Sequence, residues 1–346
     1  MEEYVTLGQM EAAYERALKA LDPVQWAYVS GGSEAEISLR RNRAALEKLA
    51  IEQHVLRDIS NIDLSTTFLG MKLPMPITVC PMGGLPAMWP NGNVEMARGA
   101  TAEGGLATMN SGGPLKEQID AANGPLMFQL YNTGDKDFIA RKVDEVQGLP
   151  YKAIVLTVDT AVPSRRDFHM EAQWAKLRGQ PVPEGANLGT DHSWAAMMNW
   201  DYVKWLRSQV KVAFGLKGIM TPADAKMALE CGVDIIWVSN HGGRQLDSGR
   251  ATIDALEKVA NAVGGRAEIV VDGGFRRGTD IIKGLCMGAN IVAMGRTFAW
   301  GLSSGGPDGV KKIAQLLRRE LLVDMSLCGQ TSVKGLKREL IDWVSY

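Results

Sequence analysis

Cysteine and histidine are scarce in this chain of 346 residues, with four of each. Cys80, Cys231, Cys286 and Cys328 lie far apart and form no C-x-x-C pair, so neither a disulfide framework nor a zinc site is indicated. Buried thiols and no resident metal are expected. Charge of one sign is also lacking: the formal net charge is −1, which offers no basic surface for nucleic acid. No apolar run approaches the roughly 18 residues that a membrane helix needs. Glu2, Glu3, Glu11 and Glu15 near the start do not suit a signal or transit peptide. A cytoplasmic protein without membrane association is expected. No G-x-G-x-x-G follows the first strand-like run, which argues against a doubly wound dinucleotide fold.

What is present is an α/β pattern. Hydrophobic residues make up 46% of the chain and charged residues 22%, ample material for a core. Helical periodicity covers 9–21 and 33–49, with Asp22-Pro23 breaking between them and Gly31-Gly32 marking a turn. A hairpin is expected from Thr66 to Leu73, turning at Gly70. Eight apolar runs follow, at 76–80, 106–109, 126–130, 153–158, 212–216, 234–238, 268–271 and 290–294, each succeeded by a helical pattern. Continuous Val/Ile/Leu character fits parallel strands buried on both faces, and eight βα units in series predict a closed (β/α)₈ TIM barrel. The expected organisation is one barrel domain over 1–346, with an N-terminal helical extension (1–60) and an irregular lid after the fourth strand (167–199).

Barrel enzymes carry their chemistry at the C-terminal strand ends. The sixth run delivers His241 and Arg244 within Ser239-Asn240-His241-Gly242-Gly243-Arg244-Gln245-Leu246-Asp247. A histidine exchanges a proton near neutral pH and an arginine grips a carboxylate with two hydrogen bonds, so the pair reads as a general base beside an anion clamp. The seventh run ends in Asp272-Gly273-Gly274-Phe275-Arg276-Arg277-Gly278 and the eighth in Gly295-Arg296, glycine turns of the kind that cradle phosphate. Phe128-Gln129-Leu130-Tyr131, Leu156-Thr157-Val158-Asp159 and Leu216-Lys217-Gly218 close the third, fourth and fifth runs, and Arg165-Arg166 follows the fourth.

With these motifs the chain resembles the FMN-dependent 2-hydroxy-acid oxidases and dehydrogenases, from about Tyr28 to Leu336. The resemblance implies oxidation of a small-molecule 2-hydroxy acid to the 2-oxo acid. His241 would take the hydroxyl proton while hydride passes to flavin N5, and Asp159 would support the imidazolium. Lys217 would sit beside flavin N1, Arg244 and Arg166 would bind the substrate carboxylate, and Tyr131 a substrate oxygen. Gln129, Thr157 and Ser111 match ring-contacting positions, with Pro81 to Gly83 at the flavin edge and Ser239 beside the cofactor. Asp272 would hold the ribityl chain, and Gly274, Arg276, Gly295 and Arg296 the phosphate. A homo-tetramer or octamer is implied, with oxygen, a quinone or a protein as electron acceptor. An FMN-dependent isomerase on the same barrel, and a relative acting on a modified, non-standard substrate, stay open as alternatives.

Two departures bear on specificity. Ala27 falls where relatives carry an active-site tyrosine, with Tyr28 as its neighbour, and Gly113 falls where glycolate oxidase has a tryptophan. A roomier pocket, suited to acids larger than glycolate, is therefore expected, the alternative being that Tyr28, Trp89 or a lid residue swings in to refill the space.

Overall fold

A computed structural model describes residues 8–177 and 194–344. Eight parallel strands close into a barrel in sequential order: β1 (Ile77–Val79), β2 (Leu106–Met109), β3 (Leu126–Leu130), β4 (Ala153–Thr157), β5 (Ala213–Ile219), β6 (Ile235–Val238), β7 (Glu268–Val271) and β8 (Ile291–Met294). Closure is made by β8 against β1, with Val292, Ala293 and Met294 opposite Ile77, Thr78 and Val79. The expected (β/α)₈ barrel is what forms, and all eight strand positions agree. In β5 the strand runs past its expected end, so Lys217 stands inside it, with a register shift against β6 between Lys217 and Ile219.

Two apolar layers follow from the period-2 alternation of side chains. One set points into the barrel, where Leu106, Met127, Val155, Ile235, Trp237, Val270 and Ile291 form a core. The other set meets the surrounding helices. The hairpin Thr66–Phe68/Met71–Leu73 turns at Gly70 as expected, and its Phe68 and Leu73 join the barrel interior.

Among the described residues, three helices precede the barrel: α1 (Gly8–Ala20), α2 (Pro23–Ser30) and α3 (Ile37–Glu47). The sequence predicts two, because Asp22-Pro23 reads as a break. It is a start instead. The Asp22 carboxylate accepts from Val24 and Gln25 N–H at 2.9 and 3.0 Å, Gln25 returns a bond to Asp22 N–H, and Pro23 occupies the first turn, where no N–H is needed. The final helix α5 (Arg296–Leu327) is broken at Gly305–Gly306 and packs along α1. Of the expected irregular lid, 178–193 lies outside the described residues. Its first part is not irregular: Asp167–Leu177 is a helix, α4, lying against α2. Among the described residues no helix is long and apolar enough to cross a membrane.

Candidate functional site

The C-terminal strand ends surround a cleft with about 1220 Å³ of empty space, part of it open to solvent. Lys217, His241, Arg244, Arg276 and Arg296 line it, as do Pro81, Gly83, Tyr131, Arg166, Asp272, Gly274 and Gly295. Thus most residues singled out by the sequence converge on one mouth.

The chain leaves β6 in three successive left-handed residues, His241 (φ 57°), Gly242 (67°) and Gly243 (75°). A side-chain-bearing residue there is uncommon and costs backbone energy. The conformation is held by Ser239 Oγ, which accepts His241 N–H at 3.0 Å. The imidazole Nδ1 meets Asp159 Oδ1 at 3.0 Å. With Nδ1–H donating to the carboxylate, Nε2 carries the free lone pair and can accept a proton. Burial lowers the His241 pKa and Lys217 adds to the effect, outweighing Asp159. Burial would raise the Asp159 carboxyl, but Lys217 and His241 hold it below its ordinary value. The pair is therefore neutral imidazole beside carboxylate at pH 7. A glycine is required next to it: a Cβ on Gly218, where φ is +118°, would lie 2.7 Å from Asp159 Cβ.

Lys217 is 3% exposed. Its Nζ donates to Ser239 Oγ at 3.0 Å and stands 3.6 Å from Asp272 Oδ2. Burial disfavours the ammonium, but Asp272 and Asp159 more than offset this and raise its pKa, so the charge is fixed. Ser239 Oγ donates to Asp272 Oδ1 at 2.9 Å. One hydroxyl thus links the loop that carries the base to the buried cation.

The opposite side is cationic without matching carboxylates. Arg244 gives its hydrogen bonds to the carbonyls of Tyr28 (2.5 Å) and Gly31 (2.9 Å), with its guanidinium 4.9 Å from the Tyr28 ring centre. Burial, with Arg166 next, pulls its pKa down to about 9. Arg296 likewise bonds the carbonyls of Val29, Gly31 and Gly242 at 3.0–3.2 Å, and burial and Arg276 lower its pKa to about 10. A bound anion would relieve both.

The two glycine turns are not equivalent. After β7, Asp280 Oδ2 accepts the N–H groups of Arg276 and Arg277 at 2.9 and 3.1 Å and also takes Arg43 at 2.6 Å, so that helix end is already capped. After β8, α5 starts at Gly295 without a side-chain cap, leaving first-turn N–H groups for an anion. Backbone approach is close on this side as well, since a Cβ on Gly274 (φ 89°) would lie 3.0 Å from the Asn42 backbone. An uncapped helix start, Arg276 and Arg296 suit the phosphate of FMN, and Lys217 at the cleft floor suits an electron-rich ring edge. The residues present fit that cofactor.

Other expected contacts sit differently. Gln129 and Thr157 are buried and bonded to each other at 2.8 Å, outside the residues that line the cleft. Ser239 and Asp159 stand behind Lys217 and His241. Ser111 is exposed and does not line the cleft; its neighbour Asn110 is the buried member of that loop, bonded to Met82 O and Asn93. The opening expected at Ala27 and Gly113 is also absent. Ala27 is buried, with its carbonyl bonded to Gly31 N–H, while Tyr28 turns into the cleft between Arg244, Arg166 and His169. Gly113 packs by Asn93, away from the cleft lining. Tyr28 thus refills the space, the alternative weighed for this pocket, whereas sequence reasoning missed Arg43, whose guanidinium is bidentate to Asp280 and bonds Gly274 O at 2.9 Å. Arg43 has no local signal, because it lies on α3, more than two hundred residues from the turn it meets.

Residues 17–343 match the family model for FMN-dependent dehydrogenases. A peroxisomal (S)-2-hydroxy-acid oxidase of Oryza sativa subsp. japonica is 36% identical over 340 residues, covering 94% of this chain and 93% of the relative. Glycolate oxidase of Spinacia oleracea is 35% identical over 346 residues, with 94% of each covered. Among solved structures, a lactate oxidase of Pediococcus acidilactici superposes with a TM-score of 0.89 at 31% identity, over 97% of this chain and 95% of the other. A flavocytochrome b2 double mutant with pyruvate bound gives 0.88 at 31% identity, over 95% and 86%. Both the sequence matches and the shared barrel span nearly the whole molecule, and the chain belongs to the FMN-dependent dehydrogenase family.

Proposed function

We propose that this protein oxidises a 2-hydroxy acid to the corresponding 2-oxo acid. The observation that carries the reading is the His241–Asp159 pair at 3.0 Å beside Arg244, a half-buried guanidinium whose hydrogen bonds go to carbonyls. Arg244, helped by Arg166, holds the substrate carboxylate. His241 Nε2 accepts the proton of the 2-hydroxyl, and Asp159 stabilises the imidazolium that results. Tyr131, exposed as a residue but with its ring desolvated against the cleft, has a raised pKa, keeps its phenolic proton and donates to a substrate oxygen. FMN, when bound, supplies the two-electron sink that takes the C2 hydrogen with its bonding pair. Lys217 holds a fixed positive charge where that negative charge accumulates. Gly274, Arg276, Gly295 and Arg296 retain the phosphate. A substrate larger than glycolate remains the proposal on one ground: no tryptophan is among the described residues that line the cleft. The physiological acceptor is oxygen, a quinone or a protein.

The test is anaerobic mixing of the yellow holoprotein with glycolate, lactate, a long-chain 2-hydroxy acid and mandelate. Stoichiometric bleaching by at least one of them is expected, with a long-chain acid or mandelate ahead of glycolate. No bleaching by any, together with turnover of an isomerase substrate without net redox change, would overturn the reading.

A further inference from the structure

One buried polar atom of the barrel interior has no part in the chemistry above. Trp237 is the first of the large fully buried side chains and lies in β6, opposite Lys217 of β5 and Val270 of β7. An indole N–H only donates, so in an apolar layer it must find an acceptor. It finds Asp272 Oδ2, at 2.9 Å.

This bond bears on how Asp272 meets Lys217. The carboxylate faces three donors: the Trp237 N–H on Oδ2, the Ser239 hydroxyl on Oδ1, and the Lys217 ammonium 3.6 Å from Oδ2. Lys217 is bonded to Ser239 Oγ and stays beyond the roughly 2.7–2.9 Å of a direct N–H···O bond to the carboxylate. We infer that Trp237 is a positioning residue: its N–H fixes the Asp272 carboxylate so that Lys217 is not drawn into a direct ion pair. The ammonium then keeps its charge directed at the cleft.

Remove the N–H, and Oδ2 is free to close on Lys217. The positive potential at the cofactor falls, and reduced FMN, the more negative form, loses more stabilisation than oxidised FMN. The inference rests on the reading that Lys217 stands beside bound FMN.

The experiment measures the midpoint potential of bound FMN against a reference dye, together with the FMN dissociation constant of the apoprotein. The variants are Trp237→Phe and an isosteric replacement of Trp237 by benzothienylalanine, which keeps the ring volume and lacks the N–H. Both should lower the reduction equilibrium about tenfold, or about 30 mV for a two-electron couple. Lys217→Met should lower it further, and Trp237→Phe in that background should add nothing. If Lys217→Met moves the potential while the benzothienylalanine protein matches the parent, Trp237 only packs and the inference is overturned. If Lys217→Met leaves the potential unchanged, the placement of Lys217 fails, and this inference with it. Loss of packing alone would lower Tm without moving the potential, and the isosteric protein gives the result even if Trp237→Phe does not fold.

Discussion

The two sides of the mouth solve opposite problems. Around the base and the lysine, two ionisable groups each face an opposite charge: His241 faces Asp159, and Lys217 faces Asp272. Beneath α2, Arg244 of the β6 loop and Arg296 after β8 instead give their hydrogen bonds to carbonyls. A paired network keeps its geometry and charge whether or not a ligand is bound, which is what proton transfer and a fixed cation require. Half-buried guanidinium groups hydrogen-bonded to carbonyl dipoles have a depressed pKa and a standing demand for an anion. The first side is built to react and the second to hold.

The largest effect expected from breaking this contrast lies on the paired side. His241→Ala should keep FMN yet slow flavin reduction by the roughly 10²–10⁴-fold that loss of a general base costs. Asp159→Asn should fall in the same range, because an amide can present its NH₂ to Nδ1 and favour the wrong tautomer. Stopped-flow reduction at saturating 2-hydroxy acid measures both, and rates near the parent's would remove His241 from its role. The holding side should answer in binding instead. Arg296→Ala should weaken FMN by about 1.5–3 kcal/mol, or roughly 10–150-fold, the size of a charge-assisted contact. The Tm gain on adding FMN should shrink with it, since that gain follows the ratio of free ligand to Kd. An unchanged gain would mean that the phosphate lies elsewhere.

The same contrast explains what could be read without coordinates. The eight strands were legible because a parallel strand buried on both faces is a continuous apolar run, and barrel closure then places their ends together. His241, Lys217 and Arg296 follow from that placement. Helix α2 was not legible, since an eight-residue segment behind Asp22-Pro23 carries the marks of a break as well as those of a capped start. Tyr28 was weighed only as one of several residues that could refill the pocket, and Arg43 escaped altogether. Their roles depend on how the N-terminal helices dock over the mouth, which sequence-local patterns do not encode. Ser111 was carried to the ring by resemblance alone, whereas Asn110 takes the buried position in its loop.

The smallest expected effect sharpens the comparison most, because it asks whether pairing or burial governs the base. Pairing with Asp159 favours imidazolium; burial, Lys217 and Arg244 favour the neutral ring and together win, so the His241 pKa falls below 6.5. Only neutral imidazole accepts the substrate proton. The kcat/KM for a 2-hydroxy acid should therefore rise with pH to a midpoint below 6.5 and stay level above it. Stability carries the same sign. The unfolded chain titrates this histidine near its ordinary value and binds more protons than the folded chain between the two pKa values. The His241 contribution is thus fully present above pH 6.5 and lost as pH falls through the folded pKa. Arg244→Gln removes a cation that lowers the pKa, so its kcat/KM limb should shift toward higher pH while its KM rises. A parent midpoint above 6.5 would show the carboxylate outweighing burial and Lys217, and the base would then be half-protonated where the holding side expects it neutral.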